Sequence, residues 1–209
     1  SSAASDVYKR QLLGTMYDRK DLTFIYPVAR GCAPIFVTIL SFIFLKDIIP
    51  FFGLVGILII CVALLLISFS SFNTKIDFKT IGISIFIAFL ISIYTFSDGA
   101  GVRSVENSLS FIVWNFFLGG WISIGYVYLT DKESLFKVKI RELILILCAT
   151  IISFSAYAII IWSMKYEPIG FVASMRESSI VFASLLGLVL LREKIGYIRI
   201  ISGILFFIG

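Results

Sequence analysis

The sequence has no histidine, and with it goes the commonest proton shuttle and metal ligand. Cysteine is nearly as scarce. Cys32, Cys61 and Cys148 each fall inside an apolar run and share no paired spacing. That pattern indicates neither a disulfide framework nor a metal site, and packing is their expected role. Charged residues make up only 15% of the chain, against roughly 25% in a water-soluble domain. Hydrophobic residues make up 59%, and the mean hydropathy is +1.03. A chain with so little polar surface cannot cover itself in water, so lipid is its expected solvent. The net charge is +5, but the Lys and Arg residues lie between apolar runs. They read as loops near lipid headgroups, with no nucleic-acid partner. Nothing in the sequence asks for a cofactor or a metal.

What the chain does have is long uncharged stretches. Residues 48–74, 80–97, 107–130 and 143–164 contain no Asp, Glu, Lys or Arg. Each is close to or above the roughly 18–20 residues that cross a hydrocarbon core as a helix. A transmembrane β-barrel would alternate apolar and polar residues in segments of about ten, and Leu54–Ile67 does not alternate. The expected fold is all-α, a polytopic transmembrane helical bundle. Its seven apolar segments are 22–45, 51–70, 80–98, 109–129, 142–163, 168–191 and 197–209. The turns between them are short, which makes sequential segments antiparallel neighbours. Ser1–Gln11, with its string SSAASDVYKRQ, resembles translated adapter sequence, and 1–20 is set aside as a non-native leader and loop. The last segment is short for a span, so the chain is expected to be cut at both ends.

Two segments carry charge where a plain anchor would not. Arg30 interrupts the first, and Arg176-Glu177 interrupts the sixth. If these charges marked helix ends, the remaining stretches 31–45 and 178–191 would be too short to cross about 30 Å at roughly 1.5 Å per residue. Either the charges lie within the membrane or the helices are broken. Both outcomes imply a polar interior, because charge and irregular backbone at depth survive only beside protein or water.

The same two segments align without gaps. Arg30 falls on Arg176, Phe36 on Phe182, Leu40 on Leu186 and Leu45 on Leu191, while Lys46-Asp47 falls on Arg192-Glu193. One arginine segment is five steps along the chain from the other, and an odd step reverses direction through the membrane. The two copies are therefore expected to be inverted, as in many secondary transporters with a substrate site at the repeat interface.

Ile25–Lys46, which contains YPVARGCAPIFVTILSFIFLK, resembles the fourth and fifth helices of EamA-type proteins of the drug/metabolite transporter superfamily when read on through the charged turn to Gly56. Phe171–Gly203, with Leu191-Arg192-Glu193, resembles the ninth and tenth helices. Tyr94–Arg103, YTFSDGAGVR, resembles the end of the sixth. Lys46-Asp47 departs from the usual Gly-Glu at that turn, and Ser202 stands where Gly is common. The YPVARG string is similar to members associated with phosphonate utilisation genes. The resemblance implies ten helices in two inverted five-helix repeats, of which 21–72 is the C-terminal part of the first and 73–209 the second, truncated in its last helix. It also implies export or exchange of a small polar solute by alternating access, in the inner (plasma) membrane. A second copy of the chain and protons are further candidate partners.

The candidate substrate-cavity residues follow from chemistry and depth. Arg30 and Arg176 offer forked donors to a carboxylate or phosphate, or else are neutralised by a fixed acidic partner. Glu177 is either a cavity carboxyl able to carry a proton or a structural salt bridge to Arg30 or another helix. Helix neighbours project about 100° apart, so a local pair with Arg176 is unexpected. Tyr26, Trp114, Asn115 and Tyr157 could line a cavity, while Trp121 and Trp162 fit an interfacial belt. Asp98, before Gly99 and Gly101, is expected to cap a helix end or gate it. Ser179, Ala183 and Gly187 place small residues at every fourth position and are assigned to helix packing. Pro27 and Pro34 flank Arg30 and are expected to kink or open that helix.

Orientation gives conflicting signals. The family topology puts Lys46, Arg103 and Lys165 in the cytoplasm, whereas the larger number of Lys and Arg residues on the other side reverses the assignment under the positive-inside rule. Two other functions compete with transport. A membrane-embedded enzyme acting on a lipid-linked substrate would need convergent acid/base or metal groups, and the sequence offers few. A non-transporting structural subunit needs none.

Overall fold

The computed structural model describes residues 22–70, 78–130, 140–180, 182 and 197–209. Among the described residues these helices appear in order: α1 Leu22–Leu45, α2 Phe51–Ser70, α3 Phe78–Arg103, α4 Ser108–Thr130, α5 Ile140–Ser163, α6 Ile169–Arg176 and α7 Tyr197–Ile208. The expected all-helical membrane bundle is the observed fold. Among the described residues, four helices are long and apolar enough to cross a bilayer, through Val28–Leu45, Thr80–Arg103, Ser108–Leu129 and Leu143–Ser163, and α2 has a shorter apolar stretch, Phe51–Leu66.

The apolar stretches of α1 and α3 are each 39% buried within the bundle, against 6% for α4 and α5. This difference makes α1 and α3 the inner helices. Phe36 meets Phe89 at 6.1 Å and Phe44 meets Phe96 at 5.8 Å between ring centroids, so α1 and α3 run parallel. Ala29 and Ala33 of α1 pack against Ile87, Ala88 and Ile91 of α3, and these small side chains let the two backbones approach. Buried Ser41, Ser84 and Ser92 donate to the carbonyls of Thr38, Thr80 and Phe89 in their own helices. Their hydroxyls are thereby satisfied locally and place no demand on the helix interface.

α6 runs antiparallel to α1. The Ile169 amide at its start donates to Asp47, just past the end of α1 (3.1 Å), while Glu177 at its far end meets Arg30 near the start of α1. Between these ties Gly170 lies so close to Thr38 that a methyl group there would collide with it. The opposite directions of the two arginine helices agree with the odd step counted in the sequence.

One detail differs from expectation, and two bear on alternatives the sequence left open. α3 does not stop at Asp98 but continues through Gly99 and Gly101 to Arg103. The Ile169 side chain and the Phe111 ring occupy the space where their Cβ atoms would be, so packing fixes two residues that propensity alone would read as a break. α1 runs through Pro27 and Pro34 without interruption, although Pro34 has no amide to bond the Arg30 carbonyl one turn back. The sixth segment is interrupted: α6 ends at Arg176, and helix resumes at Ser178–Ile180. Arg30 therefore lies inside an unbroken helix and Arg176 at a break, one arginine meeting each of the two alternatives.

Candidate functional site

The break after α6 explains a contact that regular helix geometry disfavours. The Glu177 amide donates to Ser174 and the Ile180 amide to Glu177, both at 3.0 Å. These three-residue steps tighten the turn. Glu177 therefore does not project as a regular helical neighbour would, and one of its oxygens accepts from Arg176 Nη2 (3.3 Å) and Nε (3.4 Å). The expectation that neighbours 176 and 177 would not pair is corrected. The other oxygen accepts from Arg30 Nη1 at 3.2 Å. Glu177 is fully buried, and the Arg30 and Arg176 side chains are 23% and 9% exposed.

One carboxylate thus lies between two guanidinium groups from antiparallel helices, leaving one formal positive charge. Burying such ions costs at least about 2.5–3.5 kcal/mol each at the membrane centre, so shared compensation is required. Aromatic faces supply more of it. Arg30 lies over Tyr26 at 5.1 Å and Arg176 over Tyr94 at 6.0 Å from the ring centroids.

A second polar cluster adjoins the first through Tyr94 and Tyr157, which pack in one core cluster with α1. The Asp98 carboxylate accepts from Tyr157 Oη (2.7 Å) and Asn115 Nδ2 (3.1 Å), tying α3 to α5 and α4. Asp98 is buried and lies within α3, so its expected place at a helix end is corrected. One turn earlier, Thr95 is fully buried, and its hydroxyl finds no hydrogen-bond partner among the described residues.

The structure therefore brings together Arg30, Arg176, Glu177, Tyr26, Tyr157 and Asn115. It does not bring Trp114 with them: this side chain is 61% exposed and stacks edge-on against Phe117. Trp121 and Trp162 are exposed too. Ser179 is exposed, while Ala183 and Gly187 lie outside the described residues.

Sequence reasoning missed a third cluster at the end of the bundle. Arg103 donates through Nη1 to Asp47 (2.6 Å), through Nε to the Met164 carbonyl (2.7 Å) and through Nη2 to the Glu167 carbonyl (2.7 Å). Lys165 Nζ bonds the carbonyls of Val105 and Glu106. The available signal was charge complementarity between Asp47 and Arg103, residues in two turns assigned to the same side. Lys46, beside Asp47, has φ 55°. This left-handed turn brings the Asp47 amide back to the Ser41 carbonyl. The Gly of the usual Gly-Glu pair would fill that position without strain.

Comparison with curated proteins finds no match. The sequence profile of the EamA-like transporter family matches residues 78–209, from α3 to the end of α7 and more than half of the chain. With the bundle and its apolar spans, that match places the protein in a membrane and among transporters: the chain belongs to the EamA-like transporter family.

Proposed function

We propose that the protein moves a small polar metabolite across the plasma membrane by alternating access, as an exporter or exchanger, and that an anionic group on the solute binds at Arg30 and Arg176. The observation that carries this reading is the shortage of acceptors in the deep cluster. Among the described residues, the acidic partner of both guanidinium groups is the single carboxylate of Glu177, whereas a guanidinium carries five donor hydrogens in a fixed fork. A carboxylate or phosphate would supply the missing acceptors and the missing charge. The Thr95 hydroxyl and the Tyr157–Asp98–Asn115 cluster offer polar groups for the rest of the solute. Antiparallel α1 and α6 support residues 21–72 and 73–209 as parts of two inverted repeats, with the site between them.

The test is uptake into liposomes containing the purified chain, using a panel of small carboxylates and phosphates with their neutral analogues. Saturable uptake of an anionic solute is expected, with a loss of about tenfold or more in Arg176→Gln. Equal uptake of the neutral analogue, or an Arg176→Gln variant as active as the parent, contradicts the reading. Proton coupling through Glu177 belongs to the same proposal. Uptake measured against pH in Glu177→Gln removes it if the proton dependence is unchanged.

A further inference from the structure

The Arg103 cluster joins parts of the chain that are far apart in sequence. Asp47 belongs to the α1–α2 turn, Arg103 to the end of α3, and Met164 and Glu167 to the α5–α6 turn. Asp47 also accepts from the Ile169 amide. Its carboxylate caps α6 from across the bundle, because the N-cap residue Pro168 makes no side-chain cap bond. Lys165 fastens the α3–α4 turn to the same group. Three turns that alternating access would have to separate are held by one guanidinium and one ammonium.

Beneath this clasp lies an apolar plug. Val37 of α1, Val102 of α3, Ile112 of α4, Ile161 of α5, and Met164 and Ile169 around the α5–α6 turn form one buried cluster. Val102 and Ile169 are fully buried. Gly99 and Gly101 let Ile169 and Phe111 press directly against α3. This end is thus closed by a charged layer over an apolar one. Toward the other end, Arg30 and Tyr26 remain partly exposed, at 23% and 38%.

We infer that the Arg103–Asp47 pair is a gate: it latches this end shut in the present conformation, and a solute passes only when the pair separates and the plug beneath it parts. The inference rests on the transport reading and adds to it the residues that govern exchange between the two open states. Arg103 is a positioning residue in this scheme and makes no contact with solute. Its carbonyl partners on the α5–α6 turn keep it in place, so Asp47 is the half of the latch that leaves, together with the α1–α2 turn.

The experiment follows the accessibility of two single cysteines in the full chain, purified into nanodiscs so that a water-soluble maleimide reaches both ends. Cys32, Cys61 and Cys148 are replaced by alanine, and Val102→Cys or Tyr26→Cys is added as reporter. Asp47→Asn removes the ion pair but keeps an oxygen for the Ile169 amide, so it is the least disruptive way to open the latch. Arg103→Gln is the second variant. Loss of a charge-assisted bond is expected to shift the opening equilibrium by about tenfold. Val102→Cys labelling should rise by that factor, while Tyr26→Cys labelling falls as the opposite end closes. The double variant should add little to either single change.

Unchanged labelling at Val102→Cys overturns the gate. A rise at both reporters also overturns it, since that marks a tie whose loss merely loosens the bundle. Labelling needs no solute, so failure of the gate is separable from failure of the transport reading, which shows as absence of flux in the unaltered chain.

Discussion

The molecule holds its arginines in two contrasting ways. Arg103 is held at every nitrogen: each arm of its guanidinium reaches a protein oxygen at 2.6–2.7 Å, two of them backbone carbonyls that cannot move away independently. Arg30 and Arg176 share one carboxylate at 3.2–3.4 Å, with aromatic faces filling in around them. A guanidinium held at all three nitrogens is a fastening. One that shares a single carboxylate with a second guanidinium keeps donors for an acceptor arriving from outside, as the proposed solute site requires. On that contrast rest the two proposals, that the end cluster works on conformation and the deep cluster on the solute.

The most severe way to break the contrast is to remove the shared carboxylate. Glu177→Ala leaves two guanidinium groups in the bundle with no acid between them and is expected to cost about 3–5 kcal/mol, read from unfolding in detergent. Adding Arg30→Gln should restore a large part of that loss, because one stranded charge goes with it. If Glu177→Ala unfolds like the parent, the cluster is not holding α1 to α6. A smaller effect belongs to Asp98. Tyr157→Phe removes a bond to a charged acceptor and should cost about 1–2 kcal/mol. The same change in an Asp98→Asn background should cost clearly less, and equal costs in both backgrounds would show that the hydroxyl does not act through the carboxylate. At the clasp, Lys46→Gly should stabilise by about 1 kcal/mol or less, since glycine takes the left-handed conformation without strain. A destabilised Lys46→Gly variant would mean that the Lys46 side chain contributes something its backbone geometry does not reveal.

The helical class and the helix positions were legible because lipid imposes a coarse rule: a span must be apolar for about twenty residues, and charge must be absent or explained. Arg30 and Arg176 stood out under that rule, and their opposite directions followed from counting. What composition could not reveal was where packing overrides local signals. Gly99 and Gly101 read as the end of a helix, yet Ile169 and Phe111 fill the spaces they leave and α3 continues to Arg103. Asp98 thus lies inside the helix, although the glycines after it signal an end. Regular helix across residues 176 and 177 keeps the two side chains apart, and the tight turn after α6 breaks that regularity and lets them meet. Trp114 is adjacent to Asn115 in sequence but faces away from it, since successive helical residues diverge by about 100°; Asn115 reaches Asp98 while Trp114 turns outward. The Arg103 cluster needed three turns brought together, which no single segment announces.

The most direct test of the deep cluster is the thermal stability of the purified chain with and without small anions. A panel of carboxylates and phosphates is titrated against the parent and Arg176→Gln, with unfolding followed by intrinsic tryptophan fluorescence. A ligand that binds the folded state raises the midpoint in proportion to its occupancy. The expected result is a concentration-dependent rise for at least one anion in the parent, absent for its neutral analogue and absent in Arg176→Gln. A rise that persists in Arg176→Gln, or no rise with any anion in the parent, would contradict a solute site built on the two arginines.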